Sequence, residues 1–171
     1  MNNPITLNKI EFVIGDFYAE SSNSNTNSFC LANDSSLLYQ SAIYGNYSIL
    51  LGGNWRFELI VDSHTCLCIK FQSFLDGMKV LHQPLLLPES KARKVFVKSN
   101  DAMHPGEGCH YHPFTNVVCW DEKKKILCIG NPESNGEAIE FVPNATMVIK
   151  NHQLLCIYLE LSNISNLGKF L

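Results

Sequence analysis

The sequence predicts a mainly β protein: antiparallel sheet, arranged as a barrel or sandwich of repeated β-hairpins, with one short helix near residue 90. Three observations carry this expectation. The tripeptide Leu-Cys-Ile occurs at residues 67–69, 127–129 and 155–157. Each copy follows a polar, turn-like segment that itself follows an apolar run, which is the grammar of a hairpin. Val, Ile, Phe, Tyr and Thr recur at short spacing through most of the chain, and these residues favour strands.

Taken in order, Ile10-Glu-Phe-Val-Ile14 reads as a first strand. Residues 21–28 are Ser, Asn and Thr only, a polar loop with nothing to place in a core. The chain turns apolar again from Leu37 to Tyr44, and Tyr47 to Leu51 reads as a strand closing at Gly52-Gly53-Asn54. The first clear hairpin follows, with arms at 55–61 and 66–71 around Asp62-Ser-His-Thr65. Pro88 to Lys94 suits one or two helical turns, since Glu89 would sit at the positive N-terminal end. A looser hairpin runs from Asn116 to Ile129 around Asp121-Glu-Lys-Lys-Lys125. The last has arms at 146–149 and 154–159 around Lys150-Asn-His-Gln153.

Aligned without gaps, Val61 meets Ile149, His64 meets His152, Leu67-Cys68-Ile69 meets Leu155-Cys156-Ile157, and Phe71 meets Leu159. Ile49 to Asn54 likewise resembles Ile126 to Asn131. These matches suggest one domain over residues 1–171 that contains repeat units near 47–75 and 115–161. Strand alternation places Leu67, Ile69 and Phe71 on one face and Cys66, Cys68 and Lys70 on the other. The expected core is that first face with Leu155, Ile157, Leu159, Val61 and Ile149. The repeated cysteines then need no chemistry, because cysteine packs as a small hydrophobe.

The 171 residues suit a single self-sufficient core. A net charge of −3 with 17% charged residues is too small to argue for nucleic acid or an anionic membrane surface as partner. The basic run Lys91, Arg93, Lys94 and Lys98 reads as solvated lysines and arginine. The N-terminus lacks a basic segment followed by an apolar one, and no apolar run approaches the ~20 residues of a membrane span. The expectation is a soluble, cytoplasmic protein with reduced thiols, despite its seven cysteines.

Chemistry concentrates in His104-Pro-Gly-Glu107-Gly-Cys109-His110-Tyr111-His112-Pro113. On a strand, His110 and His112 share a face and Cys109 points the other way. With Glu107 or His104 from a glycine-flanked loop, they are the candidate ligands for a divalent transition metal. No other cofactor is expected. Cys109 as a nucleophile would need a distant histidine, because adjacent strand residues diverge. His64-Thr-Cys66-Leu-Cys68 with Asp62 also has ligand-like spacing. His64 and His152 read better as turn residues, histidine being enriched at positive φ.

The His-x-His-Pro wording resembles the first metal motif of cupins, carried by His110, His112 and Pro113. That resemblance implies a β-barrel with a histidine-held metal. Asn116 or Val117 stands where the family has a glutamate, and Pro143 to Val148 lacks the glycine and histidine of its later motif. Gly53-Asn54-Trp55 resembles the Gly-x-Trp of lipocalin-like barrels; Trp55 reads as a core aromatic. The leading expectation is a small non-enzymatic binding protein whose partner is a protein or a small molecule. The alternatives are a metal-binding cupin-like enzyme or sensor, and an assembly role in which an edge strand pairs a homodimer.

Overall fold

The computed structural model describes residues 9–15, 28–32, 36–40, 45–52, 55–75, 77–132 and 135–162. All regular structure among them is strand: β1 (Ile10–Ile14), β2 (Ser28–Ala32), β3 (Ser36–Gln40), β4 (Asn46–Leu51), β5 (Phe57–Asp62), β6 (Cys68–Phe74), β7 (Val80–His82), β8 (Lys91–Ala92), β9 (Val95–Ser99), β10 (Gly108–Tyr111), β11 (Val118–Asp121), β12 (Ile126–Gly130), β13 (Glu137–Val142), β14 (Ala145–Lys150) and β15 (Gln153–Glu160). The loop expected at 21–28 lies almost wholly outside the described residues.

Two large sheets share one core. The first runs β10-β4-β5-β6-β3-β2 and the second β7-β11-β12-β15-β14-β13-β8. Pairing is antiparallel except at three edges, where β10 joins β4, β7 joins β11 and β8 joins β13 in parallel. Among the described residues no sheet closes on itself, so they form a sandwich and not the closed barrel that both family resemblances imply. Phe57, Leu59, Val61 and Phe71 of the first sheet and Leu127, Ile139, Met147, Ile157 and Leu159 of the second are fully buried in the shared core.

The second sheet is buried on both faces. Every residue of β12 is buried, as the near-continuous apolar run Ile-Leu-Cys-Ile requires. Its far side holds a separate cluster of Leu85, Cys119, Ile126, Cys128, Val148, Cys156 and Tyr158. Residues 83–90 form a strap over this cluster. The strap leaves β7 at one edge of the seven strands and enters β8 at the other. Seven strands at ordinary spacing span about 29 Å, and a fully extended chain from His82 to Lys91 reaches about 30 Å.

That length explains the main departure from expectation. Residues 88–94 form no helix; 88–90 end the strap and Lys91–Ala92 are β8. A helix rises only about 1.5 Å per residue, less than half of what the crossing demands. Pro84 and Pro88 suit such an extended course.

Bulges account for a second departure. In the β5–β6 pair Ile60 faces Lys70 and Val61 faces Cys68, which leaves Ile69 as the extra residue. The face therefore changes at the bulge. Cys68 and Phe71 are buried together while Leu67 and Ile69 are half-buried. In the β14–β15 pair Leu155 is the extra residue. Leu154, Ile157 and Leu159 enter the shared core, and Leu155 packs against the cluster beneath the strap. The two hairpins that match in sequence lie in different sheets. Gly52 and Gly130, which follow β4 and end β12, both adopt positive φ, at 67° and 103°. Trp55 is 61% exposed rather than a core aromatic; it tilts against Phe74 at the sheet surface.

The β1–β9 ribbon closes one end of the sandwich against the tips of both matching hairpins. Val97 N–H donates to Cys66 O at 2.8 Å, and Phe12 N–H donates to His152 O at 2.8 Å. Phe12, Val95 and Val97 complete the core beneath it.

Candidate functional site

The histidine-rich segment folds as a turn followed by an edge strand. His104 C=O accepts Glu107 N–H at 3.1 Å across Pro105 and Gly106, and Gly106 has φ 84°. Proline at the second position and a positive-φ glycine at the third are what a type II turn demands. The Glu107 carboxylate locks the turn by accepting His104 N–H at 2.8 Å. Gly106 N–H to Asn46 O (2.8 Å) and Ser48 N–H to Glu107 O (2.9 Å) sew it to β4. Glu107 and His104 are thus joined to each other, with the carboxylate engaged by backbone.

In β10 the alternation expected from sequence holds. Cys109 and Tyr111 are buried; Gly108 and His110 are exposed. Tyr111 fixes the strand from inside, meeting Phe12 edge-on at 5.2 Å and accepting Leu154 N–H on its hydroxyl at 3.2 Å. Burial pushes the Cys109 thiol up to about 11, with the Glu107 carboxylate adding to the effect. At neutral pH it stays a thiol, and it faces the core rather than a substrate. The His110 and His112 rings lie nearly parallel, with centroids 5.7 Å apart.

Both histidines line an open cleft of about 790 Å³. Its other walls are Lys9 to Glu11 at the start of β1, Asp101, and Asn151 to Gln153 at the tip of the β14–β15 hairpin. Neither His104 nor Glu107 lines it among the described residues. Lys9 Nζ pairs with Glu11 at 2.6 Å, which holds the Glu11 carboxyl below its usual range. His152, which the sequence reading assigned to a turn alone, also lines the cleft.

The turn assignment is correct as well. Asn151 and His152 have φ of 51° and 63°, a two-residue loop between the paired Lys150 and Gln153. Such a type I′ turn favours Asn-Gly, so histidine at its second position is strained. The matching turn is built differently. Asp62 Oδ1 accepts His64 N–H at 3.0 Å and Thr65 N–H at 2.7 Å, and Cys66, not His64, takes the positive φ of 61°. Asp62 is held below the usual carboxylate range by those bonds, Thr65 first.

No protein-family model matches the chain, and no match to a curated protein was found. Among the described residues no three metal-binding side chains converge. His110 is exposed on an edge strand of an open sheet, where the cupin resemblance implies a closed barrel.

Proposed function

We propose that this chain is a small non-enzymatic binding protein, and that the cleft bounded by His110, His112 and His152 is where it binds. The observation that carries the reading is His152. A non-glycine residue in the left-handed region costs about 1–2 kcal/mol, and a glycine at that turn position would avoid it. Strain of this kind clusters where side chains serve a ligand. The strained histidine lines the same cleft as the His110–His112 pair. A volume of about 790 Å³ also falls in the range of ligand sites.

A fragment and short-peptide screen read by amide NMR tests this. Ligands should shift the resonances of His110, His112 and His152 together. Ligands that bind reproducibly while leaving all three unmoved would overturn it.

The stacked His110 and His112 rings favour a second reading, a divalent transition ion held by the pair with water completing its shell. Elemental analysis of protein purified without a histidine tag, before and after zinc or nickel loading, tests it. Loss of bound metal in the His110→Ala, His112→Ala double variant supports it; no metal after loading rejects it.

A further inference from the structure

The cleft is open along a strand edge. Gly108 to Pro113 line it without interruption, and so do Lys9 to Glu11. Side chains alone would line it at alternate positions; an unbroken run means that backbone faces the space. The hydrogen bonds say which groups those are. Ser48 N–H bonds Glu107 O and Gly52 N–H bonds Tyr111 O, so the odd-numbered residues of β10 face β4. Gly108 and His110 therefore direct their N–H and C=O groups to the opposite edge. Among the described residues β10 pairs with β4 alone.

The facing wall repeats the pattern. Asn100 N–H donates to Lys9 O and Gly15 N–H to Lys94 O, so the odd-numbered residues of β1 face β9. Phe12 turns its backbone the other way and meets His152. Ile10 turns the same way, into the cleft.

We propose that the cleft is a strand-binding slot, in which an extended peptide adds to the outer edge of β10 through the backbone groups of Gly108 and His110, with His110, His112 and His152 as side-chain pockets. The proposal rests on the cleft being the binding site and names its ligand. A strand residue fills roughly 160 Å³ of sheet, from spacings of about 3.3, 4.8 and 10 Å. The cleft of about 790 Å³ accordingly holds about five. Recognition by strand addition draws affinity from main-chain bonds and specificity from alternate side chains. The edge lies within a cleft walled by β1 and a hairpin tip, which suits one slim strand better than the edge of a second sheet.

The test uses a random heptapeptide library displayed on phage, selected on the full-length protein, with the best peptide then synthesised. Each peptide bond is N-methylated in turn. Strand addition predicts that methylation weakens binding about tenfold at every second position and little between, from the worth of single hydrogen bonds. His110→Pro removes the one outward N–H of that residue and spares the ladder to β4, a change edge strands tolerate. It should weaken the peptide about tenfold or more, while His110→Ala weakens it less. N-methylation without a period of two, or selection of no peptide, overturns the proposal. Binding of small fragments in the cleft without peptide binding overturns the slot and leaves the cleft reading standing. A protein that is dimeric until His110→Pro makes it monomeric also overturns it, because a second copy then occupies the edge. Should His110→Pro fail to fold, the N-methyl series, which leaves the protein untouched, decides by its period of two.

Discussion

Asp121 Oδ2 accepts the backbone N–H of Leu85 at 2.8 Å, and Lys124 Nζ donates to the C=O of the same Leu85 at 2.6 Å. One turn of the second sheet thus holds both backbone groups of one strap residue. The Leu85 side chain is 3% exposed and belongs to one buried cluster with Cys119, Cys128 and Cys156. Gln83 Nε2 donates to Cys119 Sγ at 3.3 Å, a further latch. Without the strap that apolar face would lie in water. Leu85→Ala should cost about 2–4 kcal/mol in urea unfolding, the range for a truncated core leucine.

The same latch makes the strap acid-sensitive. The Leu85 N–H, then the N–H of Lys124, hold the Asp121 carboxyl below its usual range. A group whose folded pKa is depressed contributes fully above its unfolded value, about 4, and loses that contribution as pH falls through the folded value. Asp62 behaves alike through Thr65. The melting temperature of the wild type should be flat from about pH 7 to 5 and fall below about pH 4. Asp121→Ala should melt lower at pH 6 and converge with the wild type near pH 2. A constant gap at every pH would show that the carboxylate charge does not hold the latch.

Gly130 has φ 103°, and a Cβ there would lie 2.5 Å from Leu155 O and 2.7 Å from Cys156 Cβ. Backbone conformation and close packing both exclude a side chain. Gly130→Ala should destabilise by about 3 kcal/mol, from strain and overpacking together. Gly108, with nothing within 4 Å of a built Cβ, is the control. Gly108→Ala should stay within about 0.5 kcal/mol, as surface changes do. Equal losses at both positions would mean that glycine is needed for something other than space.

The all-β class and the three hairpins were legible because apolar and polar runs alternate with turn residues at strand length. Residues 88–94 misled because helix propensity is local, whereas the need to cross seven strands is not. The inward faces of β6 and β15 misled because a bulge shifts the alternation, and the sequence around Ile69 or Leu155 does not announce one. The His110–His112 pair was legible from spacing on a strand. His152 was not, because its place in the cleft depends on how the tip of one sheet meets the ribbon that closes the other. His104 and Glu107 looked like ligands because His-Pro-Gly-Glu was read for its donors, while its proline and glycine specify a type II turn.

The cysteines are distinguishable by accessibility. Cys66 is half-buried; Cys68, Cys109, Cys119, Cys128 and Cys156 are buried. Burial pushes the Cys68 and Cys119 thiols up, and hydrogen bonding with Cys156 together with burial does the same to Cys128. Only thiolates react readily. In a Cys30→Ser background, a thiol reagent at pH 8 should label Cys66 rapidly and the other five only in denaturant. Fast native labelling of Cys128 or Cys156 would show that the strap does not cover them.

His152 sets stability against binding. Asn151 and His152 fill the two positive-φ positions of a type I′ turn, where Asn-Gly is the preferred pair. His152→Gly should raise stability by about 1 kcal/mol, since glycine enters the left-handed region freely. The long contact from His152 Nδ1 to Phe12 O, at 3.4 Å, is a small loss against that gain. His64→Gly should give no such gain, because His64 is not among the positive-φ residues and its N–H is bonded to Asp62. The same His152→Gly protein should bind the selected heptapeptide more weakly than wild type. Stabilisation with undiminished binding would leave the histidine a turn residue and nothing more.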